Sequence, residues 1–167
     1  MEQCEAPVVA RLEAMPGVWQ LYLRAVSVAR AAQPGQFAMA LRARGYDPYL
    51  RCAVSLHKIG SDTVALLLDA ATAAHAPLLA CGVGDVIDLL GPLGRGFAIA
   101  PRTRNLLLVA EEMGIAPLVA LGERSVAAGR RVALLAVAGA RERLYPTQLL
   151  PCDVEYHGLL PEEAAEF

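Results

Sequence analysis

The sequence has no apolar run long enough to cross a membrane and no cluster of basic residues. Its longest apolar candidate, Val132–Ala140, has the length of a strand, whereas a transmembrane helix needs about 20 residues. The 15 lysine and arginine residues are scattered, and the formal net charge is −2. Because nucleic-acid-binding proteins carry a basic stripe or patch, we expect a protein that binds neither membranes nor nucleic acids. The first residues, MEQCEAPVV, lack a secretion signal, which predicts a cytoplasmic location.

The sequence also lacks the spacings typical of metal sites and of common hydrolases. The four cysteines form no Cys-x-x-Cys pair, and without a secretory signal they are predicted to be buried, reduced thiols: Cys4, Cys52, Cys81 and Cys152. The histidines show no ligand spacing with one another or with cysteine, so no metal site is predicted: His57, His75 and His157. No Ser-His-Asp or Cys-His arrangement is indicated, so the sequence assigns no catalytic residue.

What the first part of the chain does contain is a series of short, turn-bounded strands. Six are predicted, which favours an antiparallel barrel or sandwich: Pro7–Met15, Val18–Val28, Gln36–Arg42, Tyr49–Lys58, Thr63–Asp69 and Val86–Leu90. In the third strand we expect Phe37, Met39 and Leu41 to face inward. A short helix is expected within Ala70–Ala80, and Gly91–Phe97 is predicted to be a glycine-rich turn in which Phe97 fills the contact between two units.

After residue 101 the pattern changes to alternating strands and a helix. The predicted elements are a strand buried on both faces, a helix and two further strands, in that order: Leu106–Val109, Ile115–Ala128, Val132–Ala138 and Asp153–His157. Such a βαβ order predicts a parallel sheet with right-handed crossovers. We therefore expect two domains, residues 1–101 and 102–167, of which the second is half of a doubly wound fold. The acidic segment Pro161–Phe167 is expected to fray.

The turn Ala110–Gly114 joins the first parallel strand to its helix and has the geometry of a phosphate site. It contains Glu111 and Glu112 where such turns usually contain glycine. Two interpretations are open. The carboxylates cap the helix, which contributes about 0.3–1 kcal/mol each, or they fill or alter the phosphate site. A carboxylate about 4 Å from a phosphate costs on the order of 4 kcal/mol at an effective dielectric of about 20, so NAD binding is doubtful under both.

Four stretches carry a resemblance to a known family, over roughly residues 7 to 150. They are Pro34–Phe37 (PGQF), Leu50–Ser55 (LRCAVS), Asp88–Phe97 (DLLGPLGRGF) and Gly114–Pro117 (GIAP). Together they resemble the ferredoxin-reductase-like flavoproteins, and within these the electron-transfer subunits of dihydroorotate dehydrogenase. The resemblance implies a six-stranded antiparallel β-barrel that binds a flavin, followed by a truncated Rossmann-like parallel α/β unit.

The resemblance also implies cofactor sites, from which this sequence departs. The residues at the implied cofactor positions are Arg51, Cys52, Val54, Ser55, Gly114, Ala116 and Pro117. In the family motif Arg-x-Tyr/Phe-Ser the arginine binds the flavin pyrophosphate, the aromatic ring packs on the flavin and the hydroxyl bonds to the ring. Only Ser55 matches, because Cys52 and Val54 replace the arginine and the aromatic residue, and Arg51 lies one position early, which in a strand is the opposite face. The second flavin element, Gly-x-Gly-Thr, is replaced at Ala73–Ala76.

The resemblance implies electron relay between a flavin, FAD, and a partner dehydrogenase subunit. It also implies an iron–sulfur cluster, but Cys152 alone cannot hold one, since a cluster needs four thiolates or their equivalent. No cluster is therefore expected. Two alternatives stay open: a cofactor-free relative that acts as a structural or regulatory subunit or a homodimer, and a barrel that binds a different small ligand in the flavin cleft.

Overall fold

The chain folds into a closed β-barrel followed by a small parallel α/β unit. The computed structural model describes residues 1–42 and 50–165. The barrel strands are β1 (Glu2–Met15), β2 (Val18–Arg24), β3 (Phe37–Arg42), β4 (Cys52–Ile59), β5 (Thr63–Asp69) and β6 (Val86–Leu93). Every pairing is antiparallel, and the order around the barrel is β1-β2-β5-β4-β3-β6. The predicted six-stranded antiparallel barrel is confirmed.

Strand β1 closes the barrel because its two halves pair with different neighbours. Its first half pairs with β6, from Glu2 opposite Gly91 to Pro7 opposite Val86. Its second half pairs with β2, with register shifts that mark bulges. A bulge bends a strand and increases its twist, which lets one long strand turn from one neighbour to the other. Because the pairing with β6 begins at Glu2, the first strand starts five residues before the predicted start at Pro7.

The barrel interior contains small residues of β3, which is the reverse of our prediction. Ala38 and Ala40 are buried in the core, whereas the side chains predicted to face inward, Phe37, Met39 and Leu41, are half-buried on the outside. A six-stranded barrel encloses little space, and leucines of β2 and β5 occupy the core. The alternation was correct, but the larger residues lie on the outer face because the interior is already filled.

Several element boundaries also differ from the predictions. Strand β2 ends at Arg24, and helix α1 (Val26–Ala31) follows in place of the predicted strand end. Strand β6 continues to Leu93, three residues into the predicted turn. The predicted start of the fourth strand, Tyr49, lies outside the described residues. A 3₁₀ turn and the short helix α2 (Ala76–Leu79) occupy the alanine-rich segment, as expected.

The α/β unit consists of three parallel strands and one long helix. Its elements are β7 (Asn105–Glu111), helix α3 (Ala116–Ala127), β8 (Arg131–Val137), β9 (Val154–Leu159) and the short helix α4 (Pro161–Ala164). The sheet order is β7-β8-β9, with every pairing parallel, which confirms the predicted topology. The segment that we expected to fray begins with α4, which an ion pair between Arg141 and Glu163 holds.

Strand β7 is buried on one face only, contrary to the prediction of burial on both. Leu108 and Ala110 are buried, whereas Leu107 and Val109 are 69% and 59% exposed. An apolar run predicts two buried faces only where helices cover both sides of the sheet. Within the described residues, α3 packs against one side of β7 and nothing covers the other.

A single hydrophobic cluster joins the barrel to the α/β unit. Four barrel side chains contribute to it: Ala14, Met15, Val18 and Leu67. They pack with residues of β7, α3 and β8, among them Leu108, Val119 and Leu134. The two units therefore share a core, and the domain division at residues 101 and 102 stays a prediction.

The cysteines are free thiols, as expected, but not all are buried. Cys81 is buried, Cys4 and Cys52 are half-buried, and Cys152 is exposed, so the prediction of burial is wrong for Cys152. The described residues contain no group of three or more histidine, cysteine or acidic side chains placed to hold a metal ion. None of the described helices combines the length and the hydrophobicity that a membrane crossing requires.

Candidate functional site

Two of the sequence motifs pack against each other at one corner of the barrel. The Phe97 N–H donates to the Pro34 carbonyl (2.8 Å), and the Gln36 side-chain amide donates to the Gly94 carbonyl (2.9 Å). A Cβ on Gly35 would lie 2.7 Å from the Phe97 ring, and Gly35 has a φ of +90°, so this position requires glycine. Phe97 is 46% exposed. Phe97 therefore covers this corner. We had predicted that it would fill the contact between the two units.

The outer face of β3, β4 and β6 is apolar beside this corner. We call it the outer sheet face, formed by Phe37, Met39, Ala53, Ser55 and Leu90. Phe37 lies opposite Ser55, and Met39 lies opposite both Ala53 and Leu90. The Ser55 side chain is half-buried and makes no hydrogen bond to any residue that the structure describes. This face therefore combines apolar side chains with a hydroxyl that none of the described residues engages.

The four implied flavin residues separate onto the two faces of the barrel wall. Ser55 lies on the outer face with Arg51, whose side chain reaches Asp88 on the outside of β6. Val54 is buried in the barrel core, and Cys52 packs against it from a half-buried position. Burial raises the pKa of the Cys52 thiol. The structure thus brings Arg51, and not Cys52, to the face of Ser55.

The Arg51 guanidinium is already paired. One nitrogen donates to the Asp88 backbone carbonyl (3.0 Å), and another forms an ion pair with the Asp88 carboxylate. The same carboxylate accepts hydrogen bonds from the Gln3 side chain (3.0 Å). Asp88 therefore neutralises the Arg51 cation that lies on the same face as Ser55.

A buried polar network that the sequence did not reveal joins the barrel to the α/β unit. His57 Nδ1 lies 2.9 Å from the Ala116 carbonyl, which can only accept, so Nδ1 carries the proton. Nε2 then accepts from the Tyr145 hydroxyl (2.9 Å). That hydroxyl accepts from the Gln20 amide (2.6 Å), whose oxygen accepts from Tyr22 (2.5 Å). The contacts are satisfied with a neutral imidazole.

Burial keeps this network uncharged. It lowers the pKa of His57 to about 4, against the smaller opposing effect of the Ala116 hydrogen bond. Burial likewise raises the pKa of Tyr145 well above its usual range. His57 and Gln20 are fully buried and Tyr145 is nearly so, so the centre of the network is closed to solvent, while Tyr22 at its end is half-buried. No spacing in the sequence connects Gln20 with Tyr145.

In the turn after β7, the Glu112 side chain bonds to the loop that follows β8. Glu112 Oε1 accepts the Gly139 N–H (2.7 Å) from the loop after β8. Glu112 Oε2 lies 3.8 Å from Arg143 Nε. Arg143 also binds the Asp69 carboxylate of the barrel (2.5 Å). No side-chain cap bond forms at either helical start, although Glu112 lies in the first turn of the 3₁₀ segment Glu112–Ile115 that leads into α3.

The other implied nucleotide residues lie around this turn in different environments. Gly114 has open space beside it, since a Cβ there would meet no atom within 4 Å. Pro117 lies in the first turn of α3. Ala116 is buried and its carbonyl is bound by His57. The structure therefore leaves Gly114 accessible and uses Ala116 in the contact with the barrel.

Asp69 connects the turn with the barrel as an ionised carboxylate. Burial opposes its ionisation, but the Ala71 N–H and the Arg143 guanidinium outweigh burial and lower the pKa of Asp69. Arg143 also donates to the Pro16 carbonyl (3.2 Å). Charge on Asp69 thus holds Arg143 between the barrel and Glu112.

Solved structures define the class of fold. The chain superposes on a ferredoxin reductase of carbazole 1,9a-dioxygenase with a TM-score of 0.81 and 18% identity, over 95% of this chain and 50% of that one. It superposes on the NADH-dependent reduced ferredoxin-NADP oxidoreductase with a TM-score of 0.78 and 21% identity, over 94% and 57%. The chain has the ferredoxin-reductase-like fold.

Sequence comparison narrows the resemblance to one kind of subunit. The chain is 34% identical, over 135 residues, to the electron transfer subunit of dihydroorotate dehydrogenase B (NAD(+)) of Shouchella clausii, which is 78% of this chain and 52% of the relative. It is 32% identical, over 136 residues, to that of Bacillus cereus, at 79% and 52%. The predicted resemblance is confirmed. The chain spans about half the length of these relatives, and no family model matches it.

Proposed function

We propose that this chain is an electron-transfer subunit that holds FAD on the outer sheet face and relays electrons to a partner dehydrogenase subunit in the cytoplasm. The observation that carries the proposal is the outer sheet face itself. Its apolar side chains, and a Ser55 hydroxyl that bonds to none of the described residues, lie beside the corner formed by two of the motifs that resemble the family. The sequence similarity to electron transfer subunits supports the same function.

The residues of this face fit a flavin ring in part. A planar aromatic ring is stabilised by apolar contact, which Phe37 and Met39 would provide, and Ser55 would hydrogen-bond its polar edge. The Arg51 guanidinium is half-buried and already has the Asp88 carboxylate as its partner. Arg51 would therefore bind the flavin phosphates only by sharing its N–H groups between them and Asp88. When bound, the flavin supplies the redox chemistry, and this chain orients and shields it.

The test is the visible absorption spectrum of the purified protein, followed by titration with FAD and FMN. We expect flavin bands or saturable binding, and we expect Ser55→Ala to weaken binding about fivefold, since one hydrogen bond contributes about 1 kcal/mol. Ser61→Ala is the control, because Ser61 lies in the exposed turn between β4 and β5. A colourless wild-type protein that binds neither flavin would refute the proposal.

A second candidate function is that of a cofactor-free structural or regulatory subunit. It is favoured by one observation, the internal pairing of the charged groups at both implied cofactor sites, Arg51 with Asp88 and Glu112 with Gly139. This candidate predicts no flavin binding and a stable complex with a partner subunit. The flavin titration separates the two candidates, and pull-down of a stoichiometric partner supports the second.

A further inference from the structure

We infer that the Glu112 carboxylate takes the place of a nucleotide phosphate at the carboxyl edge of the α/β sheet and so closes this edge to NAD. The inference concerns the α/β unit and does not rest on flavin binding by the barrel. Parallel sheets bind nucleotides in the crevice outside the carboxyl ends of their strands. Glu112 follows the last residue of β7, and Gly139 comes two residues after the end of β8, so both lie at this edge.

Glu112 accepts the hydrogen bond that a bound anion would otherwise accept at this edge. Backbone N–H groups at strand ends and helix starts are the usual partners of a bound phosphate. The Gly139 N–H already donates to Glu112 Oε1 at 2.7 Å. An incoming phosphate would lose this donor or displace an anion from it.

The neighbouring guanidinium of Arg143 is also already bound to groups of this chain. Arg143 Nε lies 3.8 Å from Glu112 Oε2, while its terminal nitrogens bind the Asp69 carboxylate and the Pro16 carbonyl. Arg143 is therefore shared between two carboxylates and contributes no net positive charge to the edge. Glu111, exposed at the end of β7, adds a further negative charge.

The backbone of Glu112 is itself arranged for this contact. Its φ is +46°, in the left-handed region that non-glycine residues rarely adopt. A family-type turn would have glycine here, which adopts this conformation without strain. With this backbone the Glu112 carboxylate accepts the Gly139 N–H and lies in ion-pair distance of Arg143, so the side chain stays at the edge.

The test is isothermal titration calorimetry with NAD⁺ and with ADP-ribose on four proteins. They are the wild type, Glu112→Gly, Glu112→Gln and the control Glu162→Gln, which removes the same charge from the exposed start of α4. We expect no saturable binding to the wild type or the control. Glu112→Gly should bind at least about 100-fold more tightly, because it frees the Gly139 N–H and removes a repelling charge.

Glu112→Gln removes the negative charge but keeps a side chain in contact with the Gly139 N–H. It also provides a second test if Glu112→Gly does not fold. It keeps an oxygen for Gly139, so we expect binding weaker than that of Glu112→Gly but above the wild type. Circular dichroism and thermal unfolding check each variant, and Glu112→Gln alone decides if Glu112→Gly does not fold. Binding of NAD⁺ by the wild type as tight as by the variants would overturn the inference, and so would folded variants that gain no binding.

Discussion

The imidazole of His57 lies between the barrel and the α/β unit, where burial makes its protonation costly. Its neutral form donates to the Ala116 carbonyl and accepts from Tyr145. Protonation would place a second N–H against the Tyr145 hydroxyl and the Gln20 amide, and a buried charge without a carboxylate partner is destabilising. The contact between the two units is therefore sensitive to acid.

We expect the free energy of unfolding to fall as the pH is lowered from about 6.5 to about 4. The folded pKa of His57 is about 4, below its ordinary value of 6.5, so in this range the unfolded state binds more protons and stability rises with pH. The contribution is complete above pH 6.5 and decreases by about 3 kcal/mol towards pH 4. Urea unfolding at several pH values measures this slope.

The variant His57→Gln should flatten that part of the profile, since an amide does not titrate in this range. The control Ser61→Ala changes a side chain that does not titrate, in the exposed turn between β4 and β5, and should keep the wild-type slope. Comparison of slopes removes the contribution of Asp69, whose lowered pKa also makes acid destabilising. An unchanged slope in His57→Gln would contradict the assignment.

At the scale of the element, strand β7 has two faces with different energetic roles. Leu108 is buried in the shared core, whereas Leu107 is 69% exposed on the next position. We expect Leu108→Ala to lower the free energy of unfolding by about 2–5 kcal/mol. Leu107→Ala should change it by less than about 0.5–1 kcal/mol. Denaturant unfolding measures both, and comparable losses would show that something covers the outer face in solution.

The strands also show what alternation predicts and what it leaves undetermined. In β3 the sequence separated Phe37 and Met39 from Ala38 and Ala40, and this separation is present in the structure. It did not determine which set faces inward, because that depends on how the other strands fill the barrel. In β7 the apolar run was recognised, but its exposure depends on whether a helix covers the second face of the sheet.

The sites were predictable only where their residues are neighbours in sequence. Glu111 and Glu112 were recognised in a phosphate-type turn, and the resemblance identified Arg51 and Ser55. The partners of these residues are remote in sequence: Asp88 lies 37 positions from Arg51, and Gly139 lies 27 from Glu112. Pairing of this kind is set by the register and packing of strands, which one sequence does not specify.

At the scale of the whole molecule, the shared core predicts that the barrel and the α/β unit unfold together. Val119 of α3 is buried in this core with Val18 of β2. We expect Val119→Ala to lower stability by about 2 kcal/mol. The loss should be visible in the fluorescence of Trp19, the one tryptophan, which lies in the barrel strand β2.

The control for this measurement is Val83→Ala, at a position that is 69% exposed in the barrel unit. It should leave the Trp19 transition within about 0.5 kcal/mol of the wild type. If Val119→Ala leaves the transition of Trp19 unchanged, the two units unfold independently and the shared core does not couple them.

The pairing of β1 with β6 also constrains how the chain folds during synthesis. Ala6 and Val8 of β1 are buried, but β1 acquires its second neighbour only through residues Val86–Gly91. Most of the barrel must therefore have left the ribosome before the ring of strands can close. Until then one edge of β1 remains unpaired, and such an edge is a site for pairing with other chains. The nascent chain is consequently most exposed to aggregation just before β6 emerges.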